Sequence, residues 1–176
     1  MNTIAIIPCF KVKYKILGVV KKSLNLFDLL ICIDDCCPEK SGDHILKNIK
    51  NKKVIVIKHK YNKGVGGALK TGFKYCNKIK PKVIVKLDGD NQIDPKEAKK
   101  ISDQLLKSKL DYIVGSRFKR KKNFKTVPKI RWFGNMLISI VSKISSGLYH
   151  IDDFLNGLIA IKFDKLKKLS IDDIKD

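Results

Sequence analysis

Arginine is scarce in this chain: of 38 basic residues, only Arg117, Arg120 and Arg131 are arginines and the rest are lysines. A formal charge of +21 would suit a nucleic-acid partner through counterion release. Lysines spread among Ile and Asn read instead as solvated surface, so no nucleic acid is expected. Also missing is any apolar run of the roughly 18 residues that a membrane span needs. The polar start Met1-Asn2-Thr3 lacks the charged flank of a signal peptide, and the expectation is a cytoplasmic protein. The cysteines Cys9, Cys32, Cys36, Cys37 and Cys76 show no paired C-x-x-C spacing, which argues against a zinc site and for reduced thiols. Cys9, Cys32 and Cys76 sit in or beside apolar runs as small core residues, whereas Cys36 and Cys37 fall in a loop. No repeat, low-complexity tract or linker divides the 176 residues, and a single domain over 1–176 is expected.

Lysine does crowd in one place. Lys119, Arg120, Lys121, Lys122, Lys125 and Lys129 fall within a dozen residues, dense enough to attract an anionic substrate or the inner face of a membrane; a solvated loop is the competing reading. The amphipathic stretch from Lys129 to Leu148 carries Trp132 and Phe133 and suits either a core-packing or an interfacial helix.

What is abundant is β-branched apolar sequence in short runs: Ile4-Ile7, Leu29-Ile33, Val54-Ile57, Val83-Leu87 and Tyr112-Val114, separated by amphipathic stretches. This alternation predicts an α/β fold. Continuous apolar runs predict strands covered on both faces, hence a mostly parallel sheet flanked by helices. Ligands of such sheets gather at the carboxyl ends of the strands. Five polar clusters follow the five runs: Pro8-Cys9, Asp34-Asp35, Asn62 to Gly67, Asp88-Gly89-Asp90 and Gly115-Ser116-Arg117. All five are expected on one rim.

The fourth cluster is the most specific. In Leu87-Asp88-Gly89-Asp90-Asn91-Gln92, two carboxylates one residue apart, with a glycine between them, can face a hard divalent cation that keeps positions free for diphosphate oxygens. Alone, such a triplet reads more readily as a solvated acidic turn, and the company it keeps changes that. Asp34 and Asp35 can accept hydrogen bonds from a nucleobase or ribose, or simply cap a strand end. Gly64, Gly66 and Gly67 permit close backbone approach at a helix start. A dinucleotide-binding reading of them fails at Leu69, which occupies the third glycine position. A P-loop fails because Gly72 is followed by Phe73.

The ordered set, from Ile7-Pro8-Cys9-Phe10-Lys11 through Ile33-Asp34-Asp35, Asn62-Lys63-Gly64, Asp88-Gly89-Asp90 and Gly115-Ser116-Arg117 to Asp153-Phe154-Leu155-Asn156-Gly157, resembles the family 2 glycosyltransferases. Within them it is most similar to the dolichyl- or polyprenyl-phosphate branch. The resemblance implies a GT-A fold, a nucleotide-diphospho-sugar donor, Mg2+ or Mn2+, inversion at the anomeric carbon, and a polyprenyl phosphate or cell-surface glycan acceptor. It implies that Pro8, Cys9, Phe10, Asp34, Asp35, Lys63, Asp88 and Gly89 surround the donor nucleotide. Asp90 becomes the principal metal ligand, with Asp88 and Gln92 as further ligands. Arg117 and Arg131 hold phosphate, and Asp153 is the catalytic carboxylate. The chain departs from the family in Cys36-Cys37-Pro38-Glu39 after the aspartates, in Asn156, and in Leu158-Ile159-Ala160 after Gly157. It also ends earlier than is usual for the family. A donor-binding remnant without transfer activity and a nucleotidyltransferase remain as alternatives.

Overall fold

The computed structural model describes residues 1–115 and 157–167. Five strands form where the apolar runs predict them: β1 (Thr3–Cys9), β2 (Leu29–Asp34), β3 (Val54–Lys58), β4 (Val83–Lys86) and β5 (Tyr112–Val114). A sixth, β6 (Ile159–Lys162), was not expected from the sequence. β6 owes its place to β4 and β5, with which it pairs from far away in the chain. The order across the sheet is β3-β2-β1-β4-β6-β5. β1 to β4 pair in parallel, and β6 inserts antiparallel between β4 and β5.

Both faces of the central strands are covered, which explains their unbroken apolar character. Successive side chains point to opposite faces, so Ala5, Ile7 and Cys9 of β1 join one core while Ile4 and Ile6 join the other. The first core takes Ile16, Val19 and Val20 from α1 (Lys13–Ser23), Ile45 from α2 (Ser41–Asn48), and Ala98 and Leu105 from α4 (Pro95–Lys107). The second takes Ala68 and Cys76 from α3 (Gly64–Ile79). α3 lies close on β1 because Gly72 has no side chain; a Cβ there would stand 2.7 Å from Ile6 Cγ2. Cys9, Cys32 and Cys76 are buried as expected, and burial pushes the Cys76 thiol up to about 12.

Two helices start in ways that matter for the rim. α4 opens on Asp94, whose side chain accepts from the Lys96 N–H at 3.0 Å, with Pro95 in the first turn. α2 has no side-chain cap of its own, and Lys40 at its entry adopts a left-handed φ of 54°. Its cap comes from Asp34, at the end of β2.

Candidate functional site

The carboxyl ends of β1 to β4 lie side by side, and β6, running the other way, begins at the same edge. Gly157, just ahead of β6, sits so close to Asp88 that a Cβ on it would fall 1.8 Å from Asp88 Oδ2. Gly89 packs against the end of β1, where a Cβ would stand 3.1 Å from the Pro8 carbonyl oxygen and 2.9 Å from Ile16 Cδ1. Glycine at these two positions lets three strand ends meet. Pro8, Asp34, Asp35, Lys63, Asp88, Gly89 and Asp90 are thereby brought to one edge, as the rim rule requires.

The adjacent aspartates divide their work. Asp34 is buried, with Oδ1 accepting from the Cys37 N–H at 2.7 Å and Oδ2 from the Gly42 N–H at 2.5 Å. Gly42 must be glycine, because a Cβ would stand 2.6 Å from Asp34 Oδ2. Asp34 is therefore the cap of the loop and of α2, and the expected base or ribose contact does not describe the bonds its carboxylate makes. Asp35, equally buried, faces the α3 layer. Its Oδ1 accepts from the Lys63 N–H at 2.9 Å and lies 2.7 Å from His59 Nδ1, while His59 Nε2 lies 2.8 Å from Thr71 Oγ1. The tautomer with the proton on Nδ1 would donate to Asp35 and accept from the Thr71 hydroxyl at Nε2, which satisfies both neighbours. Among the described residues no donor reaches Asp35 Oδ2.

The side chain of Cys9 points into the core. Its thiol is fully buried, 3.2 Å from the Ile7 carbonyl oxygen, and the hydrogen bond with Cys32 together with burial holds its pKa well above the usual thiol value. Only its backbone belongs to the rim. Cys37 is buried too, but its sulfur accepts from the Lys11 N–H at 3.1 Å and lies 3.1 Å from Ser41 Oγ. Burial raises its pKa, and these hydrogen bonds outweigh that effect and leave it lowered. Cys36 is exposed, in a left-handed turn of φ 52°. Phe10 is exposed beside Lys11, whose Nζ lies 5.5 Å from the ring centre. Lys63 Nζ makes a similar contact over Tyr61 at 5.0 Å.

The second carboxylate pair is more open. Asp88 is about one-third exposed and pairs with Lys86 Nζ at 2.7 Å. Asp90 is half-buried, and its Oδ1 accepts from the Gln92 N–H at 3.0 Å, closing a turn through Asn91 at φ 59°. The Gln92 side chain is exposed. Among the described residues no three His, Cys, Asp or Glu side chains are grouped to hold a metal. The donor set nonetheless fits a hard cation that takes most of its ligands from elsewhere: Asp88 is neutralised by Lys86, and Asp90 keeps Oδ2 without a partner among the described residues. Arg117, Arg131 and Asp153, with the lysine-rich loop and the stretch from 129 to 148, lie outside the described residues.

His59, Thr71, Lys86 and Gly42 were missed by sequence reasoning. Strand alternation held a signal for one of them, and for how the adjacent aspartates divide. Lys86 shares a strand face with Asp88, two residues on, and Asp34 and Asp35 must point to opposite layers.

Comparison with known proteins agrees with this geometry. The glycosyl transferase family 2 model matches residues 4–170. The chain is 33% identical over 180 residues to the UDP-N-acetylglucosamine–dolichyl-phosphate N-acetylglucosaminyltransferase of Methanococcus voltae, covering 94% of this chain and 71% of that protein. It is 26% identical to the undecaprenyl-phosphate mannosyltransferase of Micrococcus luteus, covering 99% and 72%. Among solved structures it superposes on glucosyl-3-phosphoglycerate synthase from Mycobacterium tuberculosis, determined with Mn2+ and UDP, with a TM-score of 0.72 at 14% identity. That match covers 96% of this chain and 59% of the solved one, so the chain spans well under two thirds of the structure it resembles. The likeness shows the GT-A fold expected from the motifs. With the family model running through nearly the whole sequence, this chain belongs to glycosyl transferase family 2.

Proposed function

We propose that this protein transfers a sugar, with inversion, from a nucleotide-diphospho-sugar to a polyprenyl phosphate, in a reaction assisted by Mg2+ or Mn2+. The observation that carries the reading is the meeting of Asp35, Asp88 and Asp90 at one strand-end rim, held by Gly89 against β1 and by Gly157 against Asp88. Asp35 Oδ2, buried and without a donor among the described residues, suits a base N–H. Asp90 would hold the cation, with Asp88 or Gln92 beside it. When bound, that cation offsets charge gathering on the departing nucleoside diphosphate. The names of the dolichyl-phosphate and undecaprenyl-phosphate relatives support the acceptor class, and the Mn2+ in the mycobacterial structure supports the metal.

In the reaction, the acceptor oxygen forms a bond to the anomeric carbon while the bond from that carbon to the diphosphate breaks. A phosphate acceptor arrives as an anion and has no proton to lose. Asp153 is then the residue proposed to orient groups or stabilise charge; with a glycan hydroxyl it would serve as general base. Arg117 and Arg131 are proposed phosphate holders, since a guanidinium fork meets two phosphate oxygens. Lys11 and Lys63 add positive charge at the same edge. Exposed Phe10 and Tyr61, each under one of these lysines, suit contact with an anionic membrane surface, where a polyprenyl phosphate would be found. No helix among the described residues is long and apolar enough to cross a membrane.

The test is a transfer assay with radiolabelled UDP-, GDP- and dTDP-sugars against short-chain polyprenyl phosphate and a glycan acceptor, with Mn2+, Mg2+ or EDTA. Metal-dependent label on the polyprenyl phosphate is expected. Donor binding without transfer to either acceptor would favour the remnant reading, and release of pyrophosphate from a nucleoside triphosphate would favour a nucleotidyltransferase.

A further inference from the structure

The chain Asp35–His59–Thr71, buried at Asp35 and at the His59 ring and half-buried at Thr71, bears on what Asp35 can offer a sugar donor. A carboxylate has two oxygens, each able to accept about two hydrogen bonds. Oδ1 of Asp35 already receives the Lys63 N–H at 2.9 Å and His59 Nδ1 at 2.7 Å. His59 is fixed in turn by Thr71 at 2.8 Å on its far side. It follows directly on β3, and its own N–H donates to the Asp34 carbonyl oxygen at 2.9 Å, so neither its backbone nor its ring is free to swing away. Among the described residues, Asp35 is left with one available oxygen, Oδ2.

We infer that His59 is a positioning residue for nucleobase choice: by saturating Asp35 Oδ1, it leaves a single-oxygen acceptor that matches a uracil-type base and disfavours guanine. Uracil and thymine present one N–H between two carbonyls. Guanine presents two adjacent donors, N1–H and the 2-amino group, which a carboxylate receives best with both oxygens side by side. Against a one-oxygen acceptor, one guanine donor goes unpaired in a desolvated pocket, and an unpaired buried donor is costly. The inference rests on the donor-site reading of Asp35 proposed above and adds which base that site selects and why.

The experiment is calorimetric titration of the full chain with UDP, dTDP and GDP in Mn2+, on wild type, His59→Asn, His59→Leu and Thr71→Val. Asn carries an amide N–H near the place of Nδ1 and keeps the bond to Asp35; Leu does not. UDP is expected to bind wild type at least about tenfold more tightly than GDP, the weight of one well-made hydrogen bond. His59→Asn should keep that ratio, and Thr71→Val should reduce it by less than half. His59→Leu, with Oδ1 reopened, should bring the ratio close to one. Should the Leu variant fail to fold by circular dichroism, His59→Gln takes its place with the same expectation, because its amide reaches the Thr71 side of the ring site and leaves Asp35 Oδ1 without the bond to Nδ1. GDP binding as tightly as UDP in wild type, or a ratio unmoved by His59→Leu, would overturn the role of His59 while leaving the donor site intact. Binding of none of the three nucleotides would overturn the donor-site reading, and this inference with it.

Discussion

Two pairs of aspartates end strands on the same rim, and the structure treats them in opposite ways. Asp34 and Asp35 are almost wholly buried, and backbone N–H groups of Cys37, Gly42 and Lys63 are spent on them. Asp88 and Asp90 are partly open, one balanced by Lys86 and the other bonded to its own turn. A buried carboxylate that meets several backbone donors holds loops in place. A half-open carboxylate with an uncommitted oxygen is available to a ligand. On the function proposed above, neighbouring residues of one chemical type divide into scaffold and site, and Asp35, whose Oδ2 meets no donor among the described residues, links the two.

The contrast can be broken first at its open end. Asp90→Ala should lower transfer by at least about a thousandfold, the several kcal/mol that charge stabilisation by a cation supplies. Its urea unfolding midpoint should stay within error of wild type, checked alongside initial rates. At the closed end, Asp34→Ala should do the reverse. Removing a buried acceptor from the Cys37 and Gly42 N–H groups is expected to cost about 2–4 kcal/mol of stability, read from chemical denaturation. Any activity loss should follow the unfolded fraction. Gly157→Ala lies between the two. Its Cβ must displace Asp88 or the start of β6, so a fall of roughly tenfold to a hundredfold in kcat/KM is expected from misplacement, with a loss of only about 1 kcal/mol in stability.

The smallest effect is an acid limb far from the rim. Asp28 accepts from the Asn2 and Thr3 N–H groups at 2.6 and 3.1 Å. Burial opposes its ionisation, but these bonds outweigh it and hold its carboxyl below the usual range. A lowered folded-state pKa gives stability that is present above about pH 4 and is lost as pH falls through the folded value. Because Asp28 is largely exposed, Asp28→Asn should flatten that loss by well under about 1 kcal/mol, measured by urea unfolding between pH 6 and pH 3.

Much of this was readable in the chain. Continuous apolar runs such as Leu29-Ile33 pointed to strands buried on both faces, because short length and β-branched residues favour a strand over a buried helix segment. The rim followed from strand direction. What escaped was set by contacts distant in sequence. β6 is a strand only because β4 and β5 flank it, and Asp34 caps a helix that begins seven residues later. His59 drew no notice because a lone histidine after a strand has no motif, although its place at the rim gave a reason to examine it. The core side chain of Cys9 was legible too: in β1 it falls on the same face as Ala5 and Ile7, which leaves its backbone at the rim.

The most direct test of the division between scaffold and site is a calorimetric titration of UDP with and without Mn2+ on wild type, Asp90→Asn and Asp34→Asn, each first shown to be folded. The expected result is metal-dependent binding in wild type, loss of the metal dependence in Asp90→Asn, and metal-dependent binding retained in whatever fraction of Asp34→Asn is folded. Metal-dependent binding that survives Asp90→Asn but vanishes from folded Asp34→Asn would contradict it.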